Sequence, residues 1–217
     1  MATHVHPARP AQAPGGVALA MVARWRGEGG QHQGARPYQE DSWALKTLTD
    51  GLGPLAEAGT VEDALAFGDA ILLAVPYKAV PQIARDYAPK FAGKVVLDAG
   101  NAVAARDGVD LVKETREKGI GNTTAAYLPG AHVVRAFNSM SVAFFIKESH
   151  RAGEPMAIPI AGDDAHAVAV AAQLVRDAGF EAVAVPLARA QEFAQGGPFY
   201  GKQLTARELR QRFGLAQ

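Results

Sequence analysis

The chain has 217 residues, 22 Lys plus Arg against 22 Asp plus Glu, and no cysteine. Zero net charge argues against a nucleic-acid-binding surface, and the missing thiols remove disulfides, thiolate zinc sites, iron–sulfur clusters and cysteine nucleophiles together. Apolar runs are far shorter than a membrane span, and the N-terminus has histidines and prolines where a signal peptide needs a basic region and an apolar core, so a soluble cytoplasmic protein without membrane partners is expected.

Residues 1–16 are rich in Ala, Pro, His and Arg without helical or strand periodicity and read as an irregular or disordered tail. His4, His6 and His32 have no carboxylate partner in pattern, so no metal site is expected. Residues 17–217 read as one domain with a C-terminal extension. Val17 to Arg26 fits a short helix broken by Gly27, Gly29, Gly30 and Gly34, and Trp43 to Ala56 fits a weak amphipathic helix.

Regular order begins at Thr60, an N-cap for a helix over Val61 to Phe67. Three short apolar runs follow: Ala70 to Pro76, Lys94 to Asn101 and His132 to Ser139. Each ends in a turn or polar residue, and helical patterns separate them: Tyr77 to Phe91 and Asp110 to Lys118, closed by Gly93 and Gly119. Runs of this kind are strands buried on both faces of a parallel sheet.

Phe144 and Phe145 then read as core, Met156 to Ile160 as a strand, Asp163-Asp164 as the cap of an alanine-rich helix to Arg176, and Glu181 to Val185 as the last strand. A loop with Gly196-Gly197-Pro198-Phe199-Tyr200-Gly201 leads to a helix opened by Thr205-x-x-Glu208, a capping-box pattern. The whole predicts an α/β protein with a Rossmann-type, doubly wound, mostly parallel sheet.

In such a sheet ligands bind beyond the carboxyl ends of the strands, which puts Pro76, Asn101 and Asn138 on one rim. Each also has a plainer reading. Asparagines ending strands form turns with their own side chains, and Pro76 terminates a strand and starts a helix. Asp163-Asp164 reads as an N-cap in preference to metal binding or acid–base work. Tyr200 either offers its hydroxyl to a substrate or packs the tail onto the domain.

Five segments in order resemble the NADP oxidoreductase, coenzyme F420-dependent family, in its bacterial branch of NADPH-dependent F420 reductases. They are Leu72 to Pro76, Gly93 to Asp98, Leu128 to Asn138, Ala161 to Asp164 and Gly197 to Gly201, within a match from about Gly53 to Leu215. The resemblance implies NADP binding and hydride exchange with coenzyme F420 or another flavin-like or small carbonyl acceptor, and a homodimer. It implies cofactor contacts at Gly16, Arg36, Val75, Pro76, Asn101, Ala136 and Asn138, and substrate contacts at Asn138, Pro198 and Tyr200. Hydride transfer needs stacked rings more than a titrating side chain, so no general acid or base is named.

The N-terminus departs from the family's pattern. Aligning its G-x-G-x-x-G fingerprint puts Ala11 and Ala13 at the first two glycine positions and Gly16 at the third. Pro7 and Pro10 weaken the preceding strand, and Gly30-Gln31-His32-Gln33 stands where the second should be, so the first strands are expected to be degenerate or missing, leaving apolar edges near Leu72 and Val96. In Gly34-Ala35-Arg36 the resemblance makes the arginine a reader of the NADP 2′-phosphate. An altered reading frame or genuine divergence would each produce such a start. A non-catalytic domain that has lost dinucleotide binding is the competing reading.

Overall fold

The computed structural model describes residues 2–4, 19–23 and 57–215. The chain divides into two compact units, Met1–Val75 and Pro76–Gln217.

In the first unit the strands lie in the order β3-β1-β2-β4, with β1 Ala2–His4, β2 Leu19–Ala23, β3 Glu57–Gly59 and β4 Ala70–Ala74. β1 runs antiparallel to both neighbours, whereas β2 pairs in parallel with all of β4, Leu19 opposite Ala70 through Ala23 opposite Ala74. Two expectations are corrected here. Ala2–His4 is a strand within the stretch expected to be irregular, and Leu19–Ala23 is a strand where a helix was expected. An unbroken apolar run of five carries no period that separates strand from helix, and the long pairing with β4 decides it. The first strand is only three residues long.

The apolar edge expected at Leu72 is covered, since Leu72 sits opposite Met21. Helix α1, Val61–Phe67, is opened by a reciprocal box in which Thr60 Oγ1 accepts from Asp63 N at 3.1 Å and Asp63 Oδ2 accepts from Thr60 N at 2.8 Å. The expected helix over Trp43 to Ala56 lies outside the described residues, as do Ala11, Ala13, Gly16 and Arg36.

In the second unit the order is β5-β6-β7-β8: β5 Val95–Asp98, β6 His132–Arg135, β7 Ala157–Ala161 and β8 Glu181–Val185. β5 with β6 and β7 with β8 are parallel, and one antiparallel contact, Arg135 opposite Ala161, joins the halves. Through that register β7 runs back past the end of β6, so its first residues lie beyond the carboxyl end of β6. Val96, Val134, Ile158 and Ile160 are fully buried, as strands covered on both faces require. Val96 is therefore no exposed edge.

Seven helices and two 3₁₀ turns connect these strands among the described residues. They are the turn Tyr77–Ala79, α2 Val80–Phe91, α3 Ala104–Asp107, α4 Val109–Lys118, α5 Ile120–Tyr127, α6 Val142–Glu148, α7 Ala165–Asp177, the turn Leu187–Phe193 and α8 Ala206–Phe213. Asp164 caps α7, its Oδ1 accepting from Ala167 N at 2.7 Å. Asp163 accepts instead from Leu187 N at 2.9 Å, so only the second of the two aspartates is the cap. Thr205 and Glu208 form the expected capping box of α8.

Sequence patterning missed α5 and the turn at Leu187. Gly121, Asn122, Thr123 and Thr124 are poor helix formers, and tertiary packing of this segment on the turn overrides them. A Cβ on Gly121 would stand 2.7 Å from the Leu187 side chain, so glycine permits this approach. Phe144 is 41% exposed and not core, while Phe145 packs edge-on between Phe137 and Phe180 with centroids 5.8 Å from each.

Candidate nucleotide site at the ends of two parallel strands

β5 and β6 end in opposite charges. Asp98 and Arg135 are register partners, and their ion pair, Arg135 Nη1 to Asp98 Oδ2 at 2.5 Å, is wholly buried. Removing two charges from water costs several kcal/mol each by rough estimate unless other hydrogen bonds satisfy them. Asp98 is satisfied in this way and Arg135 only in part, its Nε having no hydrogen-bond partner among the described residues. Asp98 Oδ1 accepts from Gly100 N at 2.8 Å, and Arg135 Nη2 donates to the Gly100 carbonyl.

The other Asp98 oxygen accepts from Thr124 Oγ1 at 2.6 Å, and Thr124 Oγ1 lies 2.9 Å from the Tyr77 hydroxyl. The short contact to a carboxylate takes the threonine proton, so Tyr77 donates to Thr124. Burial, reinforced by the nearby Asp98 carboxylate, pushes the Tyr77 phenol well above its ordinary range, and it stays protonated.

This buried chain leads directly to the asparagines. Asn101 Nδ2 donates to the Asn138 carbonyl at 2.8 Å, so the loops after β5 and β6 are clasped. Asn138 is 1% exposed, and its Oδ1 has no hydrogen-bond partner among the described residues. The Asn138 Nδ2 faces Asn101 Oδ1 at 3.4 Å, an orientation that leaves the carbonyl oxygen as the orphan. Phe137, just before it, holds φ at +57°, the left-handed region that non-glycine residues adopt at a cost, and such positions gather at functional loops.

Two further segments close on the same place. Gln195 N donates to Asn101 Oδ1 at 3.1 Å and Gly201 N donates to Ser139 O at 2.7 Å, which pins both ends of the loop holding Pro198 and Tyr200. Arg106 Nη2 donates to the Asn101 carbonyl at 2.5 Å while pairing with Asp107 at 2.8 Å. Asp107 also accepts from Lys78 N at 3.3 Å, which ties in the turn after Pro76.

Of the residues singled out from sequence, Pro76, Asn101, Ala136, Asn138, Pro198 and Tyr200 lie in the second unit. Hydrogen bonds unite Asn101, Asn138 and the ends of the Pro198–Tyr200 loop. Pro198 is exposed and Tyr200 half-buried, while Ala136 is fully buried, with its N–H on the Asp98 carbonyl at 3.3 Å. Val75 closes the first unit. Asp98, Thr124, Arg135, Arg106 and Gln195 were missed. A signal existed for two of them, since Val95-Val96-Leu97-Asp98 and Val133-Val134-Arg135 are apolar runs ending in opposite charges.

Parallel strands ending in clasped polar loops define an α/β protein of Rossmann type. Residues 15–102 match the model of the family NADP oxidoreductase coenzyme F420-dependent, a stretch that holds two of the five segments carrying the resemblance, Leu72 to Pro76 and Gly93 to Asp98. That match runs through 15–52, the stretch whose composition departs most from the rest. Among solved structures, a hypothetical protein from Sinorhizobium meliloti is 27% identical, with 75% of this chain and 78% of that one covered and a TM-score of 0.64. A putative F420-dependent NADP reductase from Arthrobacter is 20% identical over 73% of this chain and 71% of that one, with a TM-score of 0.55, a likeness of fold. No curated protein matches this chain. No described helix is long and apolar enough to cross a membrane, and the described residues hold no cluster of metal-ligating side chains.

Proposed function

We propose that this chain is an NADP-dependent oxidoreductase that moves hydride between NADPH and an acceptor of the deazaflavin (F420), flavin-like or small carbonyl class. The observation that carries this reading is the orphaned Asn138 Oδ1, buried beside Asn101 at the carboxyl ends of two parallel strands. A buried acceptor without a donor costs about 1–3 kcal/mol, and a carboxamide N–H or a sugar hydroxyl recovers it. The nicotinamide carboxamide has the matching donor.

The bound nucleotide supplies the hydride, and the chain's residues bind and orient. Asn138 accepts from the carboxamide, Asn101 holds Asn138 through its backbone carbonyl, and Val75, Pro76 and Ala136 contribute main-chain contacts near the ribose. Gly16 and Arg36 take the pyrophosphate and the 2′-phosphate, the latter through the fork geometry that suits arginine to phosphate. Pro198 and Tyr200, on the loop pinned at Gln195 and Gly201, meet the acceptor. A homodimer in the cytoplasm is the assembly this reading carries.

The alanines at positions 11 and 13, where the family's fingerprint has glycines, favour a second reading, a domain that keeps the sheet and has lost dinucleotide binding. Titration with NADPH, followed by nicotinamide fluorescence, with NADH as comparison, separates them. Micromolar binding with preference for NADPH supports the oxidoreductase. No binding at millimolar NADPH supports the second reading.

A further inference from the structure

We infer that the buried Asp98–Arg135 pair is a positioning device that sets both asparagines for the nicotinamide end of the nucleotide. The inference rests on the nucleotide reading above. Its core is Gly100, whose backbone N–H and carbonyl, on successive peptide groups, are both held by one ion pair. Asp98 takes the Gly100 N–H at 2.8 Å and Arg135 takes the Gly100 carbonyl. Asn101 is the next residue. Asn138 lies three residues beyond Arg135 and is bonded to Asn101 through its carbonyl at 2.8 Å.

A lone hydrophobic pair would fill the same space at less cost, because replacing buried ion pairs by apolar residues is often neutral or stabilising. What apolar side chains cannot do is bond, from two strands, the N–H and the carbonyl of Gly100 on the two peptide groups that flank its Cα. Arginine is specifically suited to the task. Its planar fork reaches Asp98 with one terminal nitrogen and the Gly100 carbonyl with the other, whereas a lysine ammonium on a single stem cannot reproduce both contacts in that fixed plane. Thr124 fixes the remaining Asp98 oxygen, and Tyr77 in turn fixes Thr124, so the carboxylate has one orientation.

The test compares two probes: NADPH, and adenosine 2′,5′-bisphosphate, which carries the 2′-phosphate but no nicotinamide. Asn138→Ala is expected to weaken NADPH and leave the bisphosphate unchanged. Arg135→Lys, which keeps the buried charge, is expected to do the same, weakening NADPH about tenfold, the scale of one or two hydrogen bonds to a charged group. The double variant is expected to be no weaker than the stronger single one, since both act through one contact. Thr124→Val, a near-isosteric change, serves where Arg135→Lys does not fold, with a loss of about threefold confined to NADPH.

Equal weakening of both probes by Arg135→Lys or Thr124→Val overturns the inference and leaves the pair purely structural. So does unchanged NADPH binding in these variants while Asn138→Ala weakens it. If the wild-type chain binds neither probe, the nucleotide reading itself has failed, and the inference with it.

Discussion

The backbone N–H of Gln195 donates to Asn101 Oδ1 at 3.1 Å across 94 positions of sequence. Asn101 thus links three segments. Its Nδ2 holds the Asn138 carbonyl, its Oδ1 holds the C-terminal loop, and its own carbonyl is taken by Arg106. Such convergence on one side chain is a geometric reason to place a site there, because it fixes the loop that follows each of two strands relative to a third segment.

Asn101→Ala removes the bonds to Asn138 and Gln195 at once. At about 0.5–1.5 kcal/mol per hydrogen bond, less where solvent replaces the partner, the expected loss is about 1–2 kcal/mol. Hydrogen exchange should show it as faster exchange in peptides covering residues 195–201, with little change in the buried strand β8. Unchanged exchange in that loop would mean that Gly201 and the 3₁₀ turn hold it without Asn101.

Asp107 gives a pH dependence with a definite sign. Burial pushes its pKa up, but hydrogen bonds from Arg106, Val103 N and Lys78 N outweigh it, and the carboxyl sits below its ordinary value of 3.8. A folded-state pKa below the unfolded one means that the carboxylate stabilises the protein above pH 3.8, and that this contribution is lost as pH falls through the lower, folded value. Asp107→Asn should therefore lower the melting temperature near neutral pH and flatten its decline on acidification. A variant whose acid decline parallels wild type would show that Asp107 does not contribute to it.

The strands from β4 onward, the caps and the rim were legible where a local rule acts alone, whereas β1, β2 and β3 were not. Thr60, Asp164 and Thr205 were readable as caps because a cap is satisfied within three residues. Asn101 and Asn138 stood out because polar residues closed apolar runs, although nothing local told that one holds the other. Asp98 and Arg135 escaped for the opposite reason. Each looked like the ordinary polar end of a strand, and only the register of two strands 37 residues apart makes them a buried pair. Helix α5 was hidden by residues whose intrinsic preference is against helix, and Phe144 by the assumption that adjacent phenylalanines share a core when helix α6 turns one of them outward.

Tyr127 provides a measurement at the alkaline end. Burial, with a hydrogen bond to Glu114 at 2.8 Å, pushes its phenol up to about 12. The unfolded chain ionises this group near 10 while the folded chain keeps it neutral, so its contribution is lost as pH rises from 10 to about 12. Phe in its place should remove that part of the alkaline decline in melting temperature. The absorbance change of phenol ionisation in the wild type should show one more late-titrating tyrosine than in Tyr127→Phe, and equal late amplitudes would count against the assignment.

The two neighbouring glycines of the C-terminal loop should respond unequally to alanine. At Gly197 an added Cβ would lie 2.4 Å from the Gln191 carbonyl oxygen and 2.5 Å from that of Glu192, both main-chain atoms that cannot swing aside. The loop must shift, at a cost of about 1–3 kcal/mol by the scale of overpacked cores. Gly196 has open space around its Cβ position and pays only for its φ of +87°, a strain of about 1–2 kcal/mol. Both losses are similar in a melting curve, but their effects on the site differ. Gly197→Ala displaces the segment between Gln195 and Gly201 that carries Pro198 and Tyr200, so under the proposed function it should raise the KM for the hydride acceptor several-fold more than Gly196→Ala does. Steady-state kinetics of the two variants at saturating NADPH, alongside their melting temperatures, reads this directly: equal KM values at equal stability would place the acceptor away from this loop.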